Sequence, residues 1–180
     1  MFELNLTLEI LMTLMPTLTQ IKAEGYIKPL KLAMQEFAID DLKRGAAFLA
    51  QIGHESLDLR YMEEIADGSA YEYRKDLGNT FPGDGRRYKG RSPIMLTGRH
   101  NYSKAGRYLN VDFTNYPELV SKPPYAFRVA GWFWTKEKNL SPLADKLEFD
   151  TITKKINGGY NGKADRDSRY IRALRILNAI

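Results

Sequence analysis

Apolar positions along this chain recur mostly with the spacing of helices. Residues 6–15 carry them on one side of a first amphipathic helix, and residues 23–37 place Ile27, Leu30, Met34 and Phe37 one turn apart. Asp40 and Asp41 then supply an N-cap signal before residues 42–52, LKRGAAFLAQI. Beyond its first turn that segment has small or apolar residues on nearly every face, the mark of a buried helix. The pattern predicts that it runs out at Gly53, so that His54-Glu55-Ser56 stands at its mouth.

Between residues 67 and 90 the texture changes to Gly, Asp, Asn and Pro, and residues 77–85, LGNTFPGDG, read as loop. A short extended piece at 93–96 leads to a turn at Gly98 and a helix over 102–109. Pro117 opens a short helix, and Pro123-Pro124 introduces a long apolar one through Trp134, in which Trp132 and Trp134 are expected in the core. Residues 149–156 form a helical segment closed by Asn157-Gly158-Gly159. The last helix, 165–177, sets Tyr170, Ile171, Leu174 and Leu177 against a polar face of Arg166, Arg169, Arg172 and Arg175. With no internal repeat, heptad run or linker, the pattern predicts one predominantly α domain.

At 180 residues the chain can bury a continuous core, and 43% hydrophobic against 27% charged residues excludes global disorder. The absence of cysteine excludes disulfides, thiolate metal sites and a cysteine nucleophile. The first fifteen residues are apolar, yet no Lys or Arg precedes the run and Glu3, Asn5 and Glu9 interrupt it, unlike a signal peptide. No stretch approaches the roughly 18 apolar residues of a membrane span. The expectation is a chain made in the cytoplasm that reaches any cell-wall target after release, with no membrane insertion. Net charge is +5, and Arg86, Arg87, Lys89, Arg91, Arg99, Lys104 and Arg107 form a stretch with no acidic residue. Such a stretch suits an anionic polymer or is an ordinary solvated face.

Only two histidines are present, and the HExxH zinc motif fails because position 58 is Asp58. There is no GxSxG elbow and no phosphate-binding loop, so carboxylate chemistry remains. Burial disfavours the charged form of a carboxyl group, which suits a general acid, and Glu55 stands at the exit of the most buried helix. A partner carboxylate would come from Glu63, Glu64 or Glu72. Glu64 lies nine residues beyond Glu55, half a turn out of phase on a continuous helix, so the chain must bend after Ser56 if both are to face one cleft.

The segment Gln51-Ile52-Gly53-His54-Glu55-Ser56 resembles the catalytic-acid segment of the family-19 glycoside hydrolases, which include plant-type chitinases and many phage endolysins. Residues 88–102, YKGRSPIMLTGRHNY, resemble that family's substrate-strand signature. FRVAGWFW at 127–134, ITKKINGG at 152–159 and Ala164-Asp165-Arg166 continue the resemblance in order. It implies a mainly α, lysozyme-like fold of two lobes with a cleft and little or no β structure. It also implies an inverting reaction in which Glu55 protonates the glycosidic oxygen while a second glutamate activates water. That glutamate matches Glu64 in the endolysin branch and lies nearer Glu72 in the chitinase branch. Thr97 matches a hydroxyl that positions the water, and Asn101 and Asn157 match amides that bind the sugar. Arg166 matches a residue that holds Glu64 or Glu55. His54 is read as a substrate contact or as a histidine that orients the helix end, and Tyr88 as a sugar platform or as core packing.

The chain departs from the family at Ser92 and Met95, where Gly and Gln are usual. Met95 offers no amide to substrate, and Ser92 adds a side chain where glycine's backbone freedom is expected. Asp58 is expected close to Glu55, where an extra carboxylate would favour the protonated acid. The function implied is hydrolysis of β-1,4 bonds between N-acetylated amino sugars, in peptidoglycan as an endolysin, or in chitin. A non-catalytic glycan-binding protein is the third reading. No cofactor, metal ion or nucleic acid is expected as a partner, and the chain is expected to be a monomer.

Overall fold

The computed structural model describes residues 4–178. Among them the helices are α1 (Leu8–Leu14), α2 (Gln20–Glu36), α3 (Leu42–Glu55), α4 (Asp84–Arg87), α5 (Arg99–Leu109), α6 (Tyr125–Trp132), α7 (Ser141–Asp145), α8 (Phe149–Asn157) and α9 (Lys163–Asn178). Instead of a sheet, two isolated antiparallel bridges join Arg91 to Glu63 and to Leu96. The mainly α expectation holds; of the extended piece expected at 93–96, residues 93–95 belong to a turn and Leu96 to a bridge.

Helix α3 is the axis of the molecule. Asp41 caps it as predicted, its carboxylate accepting from Arg44 N at 2.9 Å, and every residue from Gly45 to Gly53 is buried. The helix does not stop at Gly53. It runs to Glu55, because α9 crosses it there and a side chain at Gly53 would meet Met15 Sδ at 3.0 Å and Arg169 Nη1 at 3.2 Å. The glycine is thus a crossing point, not a terminator. Residues 4–18 fold into the same core through Leu4, Leu6, Leu11, Leu14, Met15 and Leu18. No helix among the described residues is long and apolar enough to cross a membrane.

Trp132 and Trp134 are buried as expected. Past Trp132 the backbone widens into a π-helical turn, Phe133–Glu137, a geometry often found at functional sites. The peptide bond between Pro123 and Pro124, just before α6, is cis. Two short helices, α4 and α7, escaped the sequence reading because four or five residues carry no detectable period. On α9 the predicted polar face is only partly solvated. Arg166 is buried, and Arg169 turns inward, whereas Ile171 is 49% exposed.

The chain leaves α3 through three consecutive left-handed residues, Leu57, Asp58 and Leu59, with φ of 49°, 61° and 60°. None is glycine, so each is strained and must be held from outside. Ser56 holds one end: its hydroxyl donates to Ile52 O at 2.5 Å and accepts from Leu59 N at 2.8 Å. The buried Asp58 carboxylate holds the middle, accepting from Thr17 N at 3.1 Å, from Thr17 Oγ1 at 2.7 Å and from Arg169 Nη1. This corrects the expectation that Asp58 acts on Glu55, since its carboxylate is spent on Arg169 and Thr17. Burial pushes the Asp58 carboxyl up, but these hydrogen bonds and the Arg169 charge outweigh it and hold it below its ordinary 3.8. A carboxyl depressed in the fold stabilises above its unfolded value and loses that contribution as pH falls through the folded one. Asp58→Ala is therefore expected to cost about 2–3 kcal/mol at neutral pH. The gap from the parent should narrow when urea unfolding is repeated below pH 4.

Candidate active site

Glu55, just before the bend after Ser56, opens onto a cleft of about 300 Å³. One wall comes from the helical body: Glu55 at the end of α3, Phe133 and Lys138 around the π turn, and Ile156 and Asn157 at the end of α8. The other comes from Leu77, residues 94–97 and Asn101 on α5. Five residues singled out from the sequence, Glu55, Met95, Thr97, Asn101 and Asn157, line this one cleft. Phe133 and Lys138 were missed, because a helical period cannot foresee that a π turn aims them there.

Glu55 is half-buried, and its Oε1 accepts from Arg166 Nη2 at 2.6 Å. Arg166 is 1% exposed, so it reaches Glu55 from behind and touches no ligand in the cleft. Of the two alternatives for Arg166, it therefore holds Glu55 and not Glu64, and it stays outside the cleft lining. Its other donors go to Gln51 Oε1 and, at 3.2 Å, to Asn161 O. Gln51 in turn donates to Thr153 Oγ1 at 2.9 Å. The sequence signal for Gln51 was its polarity: an amide inside an otherwise apolar helix needs partners. Glu55 thus sits on a buried cation instead of in the apolar setting expected for it.

Glu64 is held by a separate set of contacts. Its backbone N–H donates to Gly90 O at 2.9 Å, and its Oε2 accepts from Tyr71 OH at 2.9 Å. Burial and this hydrogen bond to the Glu64 carboxylate both raise the Tyr71 phenol above its usual value. The other oxygen, Oε1, is buried with no partner. Thr97 stands close by: a methyl group at Gly90 would lie 2.9 Å from Glu64 Oε2 and 3.4 Å from Thr97 Oγ1. Thr97 donates to Met95 O at 2.9 Å, and Asn101 Nδ2 donates to Thr97 O at 2.7 Å, so these residues brace one another. Asn157 Nδ2 is a second buried polar atom without a partner. Buried unpaired groups cost free energy and often mark sites completed by a ligand or water. Gly90→Ala is expected to displace the Glu64 carboxylate and to lower kcat at least tenfold, with the circular dichroism spectrum unchanged.

Ser92 and Met95 adopt φ of 71° and 54°. At Ser92 the glycine-type backbone foreseen from the sequence is therefore present, held by Ser92 Oγ donating to Ala126 O at 2.8 Å.

Four other candidates lie elsewhere. Tyr88 is fully buried, donates to Thr114 O at 3.0 Å and packs edge-on against Tyr102, so the sugar-platform reading is corrected to core packing. The Glu72 carboxylate accepts from Gly83 N at 2.6 Å and Gly85 N at 2.8 Å, which makes it a loop clamp outside the cleft lining. His54 pairs with Asp165 at 2.7 Å and packs its ring on Gly162, the helix-orienting alternative. Glu63, the remaining acid, pairs with Lys89 and Arg91. Several members of the basic stretch have partners within the protein. Arg86 meets Asp67, Arg99 meets Asp84, Lys104 meets Glu137, and Arg87 donates to the carbonyls of Thr114 and Asn115.

The pattern of the class I chitinase family, glycoside hydrolase family 19, matches residues 40–157, from the cap of α3 to the end of α8. The chain belongs to glycoside hydrolase family 19. It is 40% identical over 116 residues to an endochitinase of Arabidopsis thaliana, covering 63% of this chain and 39% of that one. Over 133 residues it is 34% identical to a basic endochitinase of Brassica napus, covering 71% and 48%. The chain spans two-fifths to half the length of these relatives. Chitinase C from Streptomyces griseus HUT6037 superposes with a TM-score of 0.79 at 22% identity, over 98% of this chain and 94% of that one. A class IV family-19 chitinase from Zea mays superposes with a TM-score of 0.66 at 25% identity, over 83% and 78%. The lysozyme-like family-19 fold expected from the sequence is thus present. Arg166 lies beyond the matched stretch, so its place behind Glu55 rests on geometry.

Proposed function

We propose that this family-19 protein hydrolyses β-1,4 bonds between N-acetylglucosamine units of a chitin-type polymer by an inverting acid–base mechanism. The observation that carries the reading is a cleft lined by Glu55, held by a buried guanidinium, and by Thr97, with Glu64, whose buried Oε1 has no partner, close to Thr97 just outside that lining. The polymer lies along the cleft with its scissile oxygen at Glu55. Glu55 protonates that oxygen, and Arg166 holds the carboxylate left behind. Glu64 Oε1 accepts a proton from a water attacking the opposite face of the sugar, with Thr97 Oγ1 beside it. Asn157 Nδ2 has no partner within the protein, so a carbonyl such as that of an N-acetyl group would satisfy it. Asn101, its amide nitrogen spent on Thr97, keeps its carbonyl oxygen as an acceptor for sugar hydroxyls or the acetamide N–H.

Chitin is favoured over the endolysin reading because the relatives named above are endochitinases and because part of the basic stretch that suggested a wall polymer is paired with acids of this chain. Peptidoglycan shares the N-acetylglucosamine unit and remains the second polymer to test. The experiment is reducing-end release by the purified protein from colloidal chitin and from purified peptidoglycan. Release from chitin is expected. Release from peptidoglycan alone would move the assignment to the bacterial wall. Release from neither, with the protein folded, would refute the hydrolase reading and leave a glycan-binding protein.

A further inference from the structure

Two charged side chains line the cleft, Glu55 and Lys138. The Glu55 charge is met by Arg166 at 2.6 Å. Among the described residues no carboxylate lies within ion-pair distance of the Lys138 ammonium. Its chain neighbour Glu137 is engaged by Lys104 at 2.6 Å. The Lys138 side chain is nonetheless placed. It follows the π turn, its backbone N–H donates to Phe133 O at 2.9 Å, and its ammonium stands 5.5 Å from the centre of the Phe133 ring. The cleft therefore has an aromatic face with an uncompensated cation beside it.

Unsubstituted chitin offers that cation hydrogen-bond acceptors but no counter-charge. It carries no charge, so covering Lys138 with it costs desolvation and returns no ion pair. A polymer with free amino groups would be repelled. A carboxylate on the sugar would supply the missing charge through a charge-assisted hydrogen bond. Granting the proposed glycan cleft, we infer that Lys138 is a specificity-determining residue that recognises a carboxylate substituent on an N-acetylated amino sugar, the chemistry of the lactyl ether on muramic acid. The cleft then accepts glycans in which N-acetylglucosamine alternates with such an acidic unit, and Lys138 sets its preference between these and uncharged chitin.

The test uses the whole chain with two soluble substrates of equal length, a chitin oligosaccharide and a muramic-acid-containing oligosaccharide. The readouts are kcat/KM for each and equilibrium binding of each by calorimetry. For Lys138→Gln, the muramyl-to-chitin ratio of kcat/KM is expected to fall about tenfold, the equivalent of one charge-assisted hydrogen bond. The change should lie mainly in KM, Lys138→Glu should lower the ratio further, and Lys138→Arg should restore most of it. Added salt should shrink the preference of the parent protein and leave that of Lys138→Gln unchanged. An unchanged ratio in Lys138→Gln and Lys138→Glu overturns the inference. Binding separates this from failure of the catalytic reading. If neither substrate is cleaved, muramyl binding weakened in Lys138→Gln still supports the inference, and equal binding by parent and variant overturns it.

Discussion

Glu55→Gln is expected to lower kcat on chitin oligosaccharides by about 10²–10⁴-fold, the usual worth of a positioned general acid, with KM changed little. Glutamine keeps the shape and the oxygen that accepts from Arg166, but it has no acidic proton to give. The same substitution should also cost stability. Arg166 is 1% exposed, and its remaining partners, Gln51 and the Asn161 carbonyl, are neutral. Removing the carboxylate strands a buried guanidinium, a cost of about 2–4 kcal/mol at neutral pH. Thermal unfolding and kinetics on one preparation separate the two effects, because the rate should remain low at temperatures where the variant is fully folded. A variant that keeps more than a tenth of the parent kcat would mean that Glu55 is not the acid.

Arg166→Met is expected to do comparable damage from the other side of the pair. It removes the charge behind Glu55 and leaves the Gln51 oxygen without its donor, so a loss of about 3–5 kcal/mol is expected. For a chain of this size that corresponds to roughly 6–20 °C in Tm. Arg166→Lys should recover little, since a single ammonium cannot reproduce the guanidinium fork that meets Glu55, Gln51 and Asn161 together. The double substitution Glu55→Gln with Arg166→Met leaves neither charge unpaired. It should therefore lose less stability than the sum of the two single changes, while kcat stays as low as in Glu55→Gln. Strict additivity in stability would mean that the ion pair contributes nothing to the fold.

The parts legible in the sequence are those decided by local patterning. Asp41 and the apolar run after it give α3 and its cap, and the position of Glu55 follows from where that run ends. What the pattern misplaced was decided at long range. Gly53 reads as a helix end, yet it is the point where α9 crosses α3. Arg166 falls on the polar face of α9 by period, but Glu55 and Gln51 draw it inward. The stretch from Arg86 to Arg107 reads as a basic surface because Asp67, Glu63, Asp84 and Glu137, which pair with part of it, lie outside it. Tyr88 has the side chain of a sugar platform, and only its contacts with Tyr102 and Thr114 show it to be core. The need for a bend after Ser56 could be foreseen. Its construction from three left-handed non-glycine residues could not, because Thr17 and Arg169, which hold it, are far away in the chain.

In the proposed reaction, Glu55 as the direct proton donor and Glu64 as the base that activates a water together cut a β-linked amino-sugar polymer. The most direct test is proton NMR of the first product released from a chitin oligosaccharide, recorded before the sugar mutarotates. Attack by a water held at Glu64 inverts the anomeric carbon, so the new reducing end should appear first as the α-anomer. A β-anomer appearing first would mean net retention and would contradict the assignment of Glu64 as the base.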